Sequence, residues 1–366
     1  MKRIGIDVYS ALHTPRGMGI YTINFLNELA KIDKVNEYIL YADISDEKNV
    51  LPMQSNFTFK LLKAKGLLHY EQFVLPKQAE KDKLDILHSP ANTSPILLNK
   101  KITRFLTLHD VIFLKKEVPF PNNIKQLFGR LYYIITAILN AQKANIIFTP
   151  TEYSKKDISE TLNICENKIF VTPNGHEHFD ISEATEIGEL VEKYGISCPY
   201  YFHLGGEAPS KNSEMVLKYF EQNQDKKLVF AGIKNLNSSV LYNKYKSCQN
   251  IKFVPYIPQK DLVGLYKNAE AFIFSSIYEG FGIPLVEAMK CNCPVICSNA
   301  SCLPEVAGEV AVYFNPRNMK SFSAIFESIN KEEMINKTTQ NSALQLDKYT
   351  WKKTANIICE EYNATK

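Results

Sequence analysis

A chain of 366 residues is long enough for two domains, each with its own core, and 45% hydrophobic against 22% charged residues with no low-complexity tract excludes a disordered or fibrous protein. No apolar run reaches the length of a membrane span, and the opening segment Met1–Ser10 reads as a buried strand rather than a leader, so the chain is expected to be cytoplasmic. The net charge of +4 hides a basic half, with 23 Lys and Arg against 17 Asp and Glu in residues 1–175, but no basic run is interleaved with aromatics; this excludes nucleic acid and leaves an anionic membrane, a phosphate-bearing substrate or plain solvation to account for the excess.

In chain order, RIGIDVY, EYILYAD, FTFKLLK, LDILHS, TRFLTLHD, NIIFTP and KIFVTP are short β-rich runs, with helical spacing at Tyr21–Ile32 and Asn123–Gln142. The turn-like TPNG at Thr172–Gly175 closes this series, and the charged, weakly patterned stretch to Gly195 is the expected domain boundary. A second series follows, YYFHLGG, KLVFAGI, IKFVPY, EAFIFSS, CPVICSN and VAVYFNP, with helices expected at Asn212–Gln222, Ser238–Ser247, Lys260–Asn268 and Pro284–Cys291. Strands that alternate with helices dictate a mainly parallel sheet covered by helices. The expected fold class is therefore α/β, with two doubly wound Rossmann-like domains, 1–175 and 176–349, facing across a cleft. Neither series opens on G-x-G-x-x-G, which argues against a dinucleotide dehydrogenase. The eight cysteines, four of them at Cys291, Cys293, Cys297 and Cys302, lack paired metal-ligand spacing and read as small buried apolar residues.

The stretch SIYEGFGIPLVEAMK, residues 276–290, carries the chemistry. A strand leads into a loop, and Pro284 suits the first position of a helix, where a missing N–H costs nothing. The helix would begin after Gly282, with its free N–H groups and positive dipole end forming an anion site suited to a diphosphate. Gly280 and Gly282 would let the backbone approach closely. Glu287, one turn into the helix, would reach back to ribose hydroxyls, and Glu279 at the strand end would accept from a second sugar. A nucleotide sugar has those three parts in that order.

The two glutamates and the residues between and after them, YEGFGIPLVEAMKCNCPVICSNASCLPEVAG, resemble the signature of retaining glycosyltransferase family 4, of the GT-B superfamily. The likeness extends over almost the whole chain: GMGIYT, LHD at Leu108–Asp110, TPNG, GGEAPSKN and the closing YTWKKTANIICEEY. YEQFVLP, HSPANTSP and LHDVIFL are similar to stretches of bacterial mannosyltransferases of O-antigen and capsule assembly.

The resemblance implies an acceptor-binding first domain, joined by a last helix near 350–366, and a nucleotide-sugar-binding second domain. Gly17 and Gly19 would form a flexible glycine loop near the donor phosphates and the acceptor, and His109 would lie beside the transferring sugar. In the second domain Gly206, Ser210 and Lys211 would line the donor, with Lys211 on the diphosphate. Glu279 would hold sugar hydroxyls, the backbone of Phe281, Gly282 and Ile283 phosphate or sugar oxygens, and Glu287 the ribose. Ser210 stands where many members have Arg, so the leaving phosphate either meets another cation or is less well stabilised.

The implied reaction is a retaining, metal-independent transfer of a hexose, first of all mannose from GDP-mannose, onto a glycan or lipid-linked saccharide. A UDP-hexose or dTDP-rhamnose donor, another nucleotide-sugar reaction, or an idle scaffold subunit are the alternatives. No Asp-x-Asp occurs, and no cofactor is expected. The aromatic stretch LFGRLYYIITAIL, residues 127–139, with Lys100, Lys101, Lys115, Lys116, Lys125, Arg130 and Lys143 around it, reads either as a buried helix or as a peripheral contact with an anionic membrane.

Overall fold

Runs rich in Ile, Val, Phe and Tyr, apolar on both faces, fit the interior of parallel sheets, and here they form two of them. The computed structural model describes residues 1–14, 17–115, 124–255, 257–328 and 330–365. They divide into two units, residues 1–175 with 350–366 and residues 176–349.

In unit 1, strands β1 (Arg3–Asp7), β2 (Glu37–Ala42), β3 (Phe57–Leu61), β4 (Ile86–Ser89), β5 (Thr103–Thr107), β6 (Ile146–Thr149) and β7 (Ile169–Val171) pair in parallel, in the order β3-β2-β1-β4-β5-β6-β7. Ile4 and Ile6 lie in register with Ile86 and His88, so the direction of winding reverses between β1 and β4. The helix Trp351–Ala364 completes this unit's core: Trp351, Ala355, Ile358 and Tyr362 pack with Tyr21 and Phe25, and the Tyr362 hydroxyl meets His88 Nδ1 at 2.6 Å.

Unit 2 repeats the plan with β8 (Tyr201–Leu204), β9 (Leu228–Ala231), β10 (Ile251–Val254), β11 (Phe272–Phe274), β12 (Val295–Ser298) and β13 (Ala311–Phe314). Their order, β10-β9-β8-β11-β12-β13, is again all parallel and reverses between β8 and β11. In open α/β sheets such reversals are where the loops part and a crevice opens beyond the carboxyl ends of the strands.

Several boundaries differ from the sequence reading. The first strand stops at Asp7, because the Asp7 carboxylate accepts from the Tyr9 N–H at 3.0 Å and starts a helix at Tyr9–His13 instead of extending the strand to Ser10. The helix expected from Tyr21 begins at Met18, after Gly17 at φ +50°. Ile187–Tyr194 is helical, ended by Gly195 at φ +59°, within the stretch that had read as weakly patterned. Glu152–Leu162 and Lys331–Leu346 are further helices, started by side-chain caps from Thr151 and Asn330. The helix Ile124–Lys143 runs one residue beyond the expected end at Gln142; Asn123, its expected start, lies outside the described residues, as do Tyr256 of IKFVPY and Lys116. No helix among the described residues is long and apolar enough to cross a membrane.

Candidate functional site

At the reversal point of unit 2, two loops leave neighbouring strands and are stitched together before either side chain is considered. Ser275 Oγ donates to the Lys211 carbonyl at 2.8 Å, and the Ile277 N–H donates to the Ser210 carbonyl at 2.8 Å. This puts Lys211, which follows β8, beside Glu279, which follows β11. Lys211 Nζ lies 2.6 Å from Glu279 Oε1, and the same oxygen accepts from Ser276 Oγ at 2.7 Å. The Glu279 N–H donates to Ser301 Oγ at 3.1 Å, and the Cys302 thiol donates to the Glu279 carbonyl at 3.1 Å. Glu279 is thus fixed at both backbone and side chain.

Gly282, at φ +94°, closes the loop, and Ile283–Lys290 follows as a helix with Ile283 first and Pro284 second, one position later for the proline than expected. Gly282, as the cap residue, supplies no side-chain acceptor to this first turn; Pro284 has no N–H, and the Leu285 N–H donates to the Gly282 carbonyl at 2.9 Å. Phe281 sends its ring into the core against Tyr349, so its backbone alone is left for the loop. Glu287 lies on the same helix but is buried, and its Oε2 accepts from the Tyr266 hydroxyl at 3.1 Å. Burial pushes its carboxyl up to about 7.

Gly206 is held by its N–H, which donates to Ser213 Oγ at 3.1 Å. Its neighbour is the constrained glycine: a Cβ on Gly205 would overlap His203 and Ser213, whereas one on Gly206 would meet nothing within 4 Å. His203 Nδ1 lies 2.8 Å from the Ile273 carbonyl, so that nitrogen carries the proton and Nε2 accepts from Ser213 at 3.2 Å. Ser210 is buried and contributes its carbonyl to the stitching. Sequence reading missed Gly205, Ser276, Ser301, Tyr266 and the His203–Ser213 pair. The doubled glycine was a usable signal for the first, and Ser276 and Ser301 stood within the quoted motif; Tyr266 and the His203–Ser213 pair left no signal, because they come from other strands and helices.

In unit 1, His109 follows β5. Its N–H donates to Asn92 Oδ1 at 2.7 Å, and its Nε2 lies 3.1 Å from the Pro90 carbonyl, which places the ring proton on Nε2 and leaves Nδ1 as an acceptor. Burial lowers its basicity to about 4, so the ring is neutral, edge-on to Tyr21 at 4.8 Å. Gly17 and Gly19 do not make one loop: Gly17 is the positive-φ residue before the helix, and Gly19 lies inside it, where a Cβ would overlap the Thr14 carbonyl. Pro15 and Arg16 of that segment lie outside the described residues. Unit 2 therefore gathers Gly206, Ser210, Lys211, Glu279, Phe281, Gly282, Ile283 and Glu287, and unit 1 holds Gly17, Gly19 and His109.

Cys291, Cys293, Cys297 and Cys302 are buried thiols, and the described residues contain no group of three or more metal-ligating side chains.

Residues 197–349 match the model of the family described as glycosyl transferases group 1. Over 96% of both chains the protein is 25% identical to O-antigen chain mannosyltransferase B of Escherichia coli. It is 26% identical to O-antigen chain mannosyltransferase RfbU of Salmonella typhimurium over 86% of this chain and 87% of that one. Among solved structures, Anabaena HepE in complex with UDP and glucose superposes with a TM-score of 0.72 at 14% identity over the full length of both chains.

Proposed function

From the premise that residues 197–349 are a group 1 glycosyl transferase domain and that the chain has the GT-B fold, we propose a retaining transfer of mannose from GDP-mannose to a glycan or lipid-linked saccharide in bacterial surface polysaccharide synthesis. The observation that carries this reading is the meeting of Lys211, Glu279 and the uncapped start of Ile283–Lys290 at one strand reversal. A diphosphate there receives a cation and backbone N–H donors, which stabilise it most when it departs with its full charge. Lys211 is held by Glu279 in the free protein, so donor binding exchanges a carboxylate for phosphate and frees Glu279 to accept from the hydroxyls of the transferring sugar. On this reading the leaving phosphate helps take the acceptor's proton on the face it vacates, and the stereochemistry is retained. The mannose donor rests on the two O-antigen mannosyltransferase relatives.

The basic half and helix Ile124–Lys143 support an acceptor that stays on its lipid. Ala137 and Ala141 face the core, while Phe128, Leu131 and Ile135 form an exposed stripe at helical spacing. Lys100 and Lys101 are exposed, but Lys115 is paired with Asp157 and is withdrawn from this role.

The test is a thermal-shift comparison of GDP, UDP and dTDP, followed by transfer from the matching mannose or hexose donor with and without EDTA. GDP alone should raise the melting temperature, and transfer should survive EDTA, since Lys211 and the helix start neutralise the diphosphate. A preference for UDP overturns the choice of donor. Loss of activity in EDTA with rescue by Mg²⁺ or Mn²⁺ overturns the electrostatic assignment.

A further inference from the structure

One backbone conformation beside the Lys211–Glu279 pair is costlier than the fold requires. Among the described residues other than glycine, positive φ falls to five asparagines, to Lys83 and to Ser301 at φ +52°. Asparagine tolerates the left-handed region because its short amide bonds to the local backbone, whereas serine meets the same Cβ clash with less compensation. Glycine at 301 would adopt this φ freely. What glycine lacks is the hydroxyl, and Ser301 Oγ accepts from the Glu279 N–H at 3.1 Å, 22 residues away in the chain. Strain of this kind persists only where the surroundings over-determine it, and it gathers at functional sites.

The next two residues hold the same loop from its other side. Cys302 is fully buried, and its thiol donates to the Glu279 carbonyl at 3.1 Å and to the Phe281 carbonyl at 3.5 Å. Leu303 packs on Gly282, where a Cβ would lie 3.2 Å from Leu303 Cδ2. The segment after β12 thus grips the main chain from Glu279 to Gly282, whatever the Glu279 carboxylate is bonded to. That independence matters because the carboxylate changes partner. Lys211 Nζ lies 2.6 Å from its Oε1 in the free protein, and a diphosphate that takes Lys211 leaves this oxygen with Ser276 Oγ at 2.7 Å. A carboxylate that must meet a sugar within a fraction of an ångström then depends on how firmly its backbone is held.

We infer that Ser301 and Cys302 are positioning residues for Glu279: they fix its N–H and its carbonyl, and so keep its carboxylate in place for the transferring sugar after Lys211 has turned to the diphosphate. The effect on transfer rests on the role proposed for Glu279 above, whereas the grip on the loop does not. The left-handed strain at Ser301 is retained for the hydroxyl that makes this contact.

Ser301→Gly tests the inference by removing the strain and the acceptor together. Its melting temperature should stay within about 3 °C of wild type, because relief of strain offsets the greater freedom of glycine in the unfolded chain. Deuterium exchange of a peptide spanning residues 277–283, followed by mass spectrometry, should nevertheless quicken by about tenfold, since the Glu279 N–H has lost its acceptor. With GDP-mannose as donor, kcat should fall by about tenfold while GDP affinity stays within twofold. Cys302→Ala should repeat the faster exchange and the lower kcat, and Cys302→Ser, which keeps a donor, should recover most of both; this pair carries the comparison if Ser301→Gly does not fold. Wild-type exchange in folded Ser301→Gly and Cys302→Ala overturns the inference, as does a loss of GDP affinity equal to the loss in kcat. Faster exchange in a protein that transfers no mannose overturns the transferase reading and leaves the grip standing; transfer with both exchange and kcat indifferent to Ser301 and Cys302 does the reverse.

Discussion

Unit 2 meets its strand reversal with Lys211 and the open start of Ile283–Lys290, whereas unit 1 meets the equivalent edge with Asp7 and Glu71. Topology is shared: both sheets are parallel and wind outward in both directions from a central pair. Topology therefore fixes where a crevice opens, and the few side chains at the strand ends fix which charge it tolerates. Lys211 gives one edge a cation, and Asp7 and Glu71 give the other two buried carboxyl groups.

The most direct way to break this contrast is to remove the cation. Lys211→Ala should lower kcat/KM by about 10²–10³-fold and weaken nucleoside diphosphate binding, because Glu279 then faces the phosphates unneutralised. Isothermal titration with GDP and steady-state kinetics check it, and wild-type GDP affinity in this variant removes Lys211 from the donor site.

Glu279→Ala sharpens the contrast by separating sugar from phosphate. It should cost about 3 kcal/mol in kcat/KM, the loss of a charge-assisted contact in a closed site, while GDP affinity stays near wild type. An equal fall in GDP affinity means that Glu279 acts on the nucleotide.

Glu287 tests whether a buried carboxyl in unit 2 is kept for binding at the expense of stability. Its folded value near 7 lies above the 4.5 of the free group. The folded protein therefore keeps a proton that the unfolded chain has released, so this contribution to stability is full below about pH 4.5 and falls as the pH rises toward 7, by about 3 kcal/mol at most. Glu287→Gln should flatten the stability–pH curve over that window, raise stability at pH 8 and weaken GDP. Urea melts at pH 5, 6 and 8 decide it; an unchanged slope assigns the pH dependence elsewhere.

The smallest effect concerns the loop before Lys211. Gly205→Ala should destabilise by about 1–3 kcal/mol through overlap with His203 and Ser213, and Gly206→Ala should change stability by less than about 0.5 kcal/mol. The reverse ranking in thermal denaturation would show that Gly206 is the residue the loop depends on.

Much of this was legible in the sequence wherever one residue's neighbours along the chain decide its state. The alternating runs specified parallel sheets, and Gly282 followed by Ile283 and Pro284 specified a helix start, since positive φ and a missing N–H are local properties. Helices with little apolar periodicity, such as Lys331–Leu346, were not legible, because packing rather than pattern stabilises them. The glycines at 17 and 19 looked equivalent in the sequence, yet one makes a turn and the other makes room for the Thr14 carbonyl.

The sequence by itself determined the α/β class, the motif Glu279–Glu287 on a strand-loop-helix, and the basic excess of residues 1–175, all of which follow from composition and short-range spacing. Only the tertiary structure decided that Lys211 pairs with Glu279 across 68 residues, that Glu287 turns to Tyr266, and that Asp7 meets Tyr70 across 63 residues. The physical reason is that these pairings depend on strand order, and many strand orders satisfy the same local pattern; the burial that shifts Glu287 arises only once the surrounding chain has closed around it.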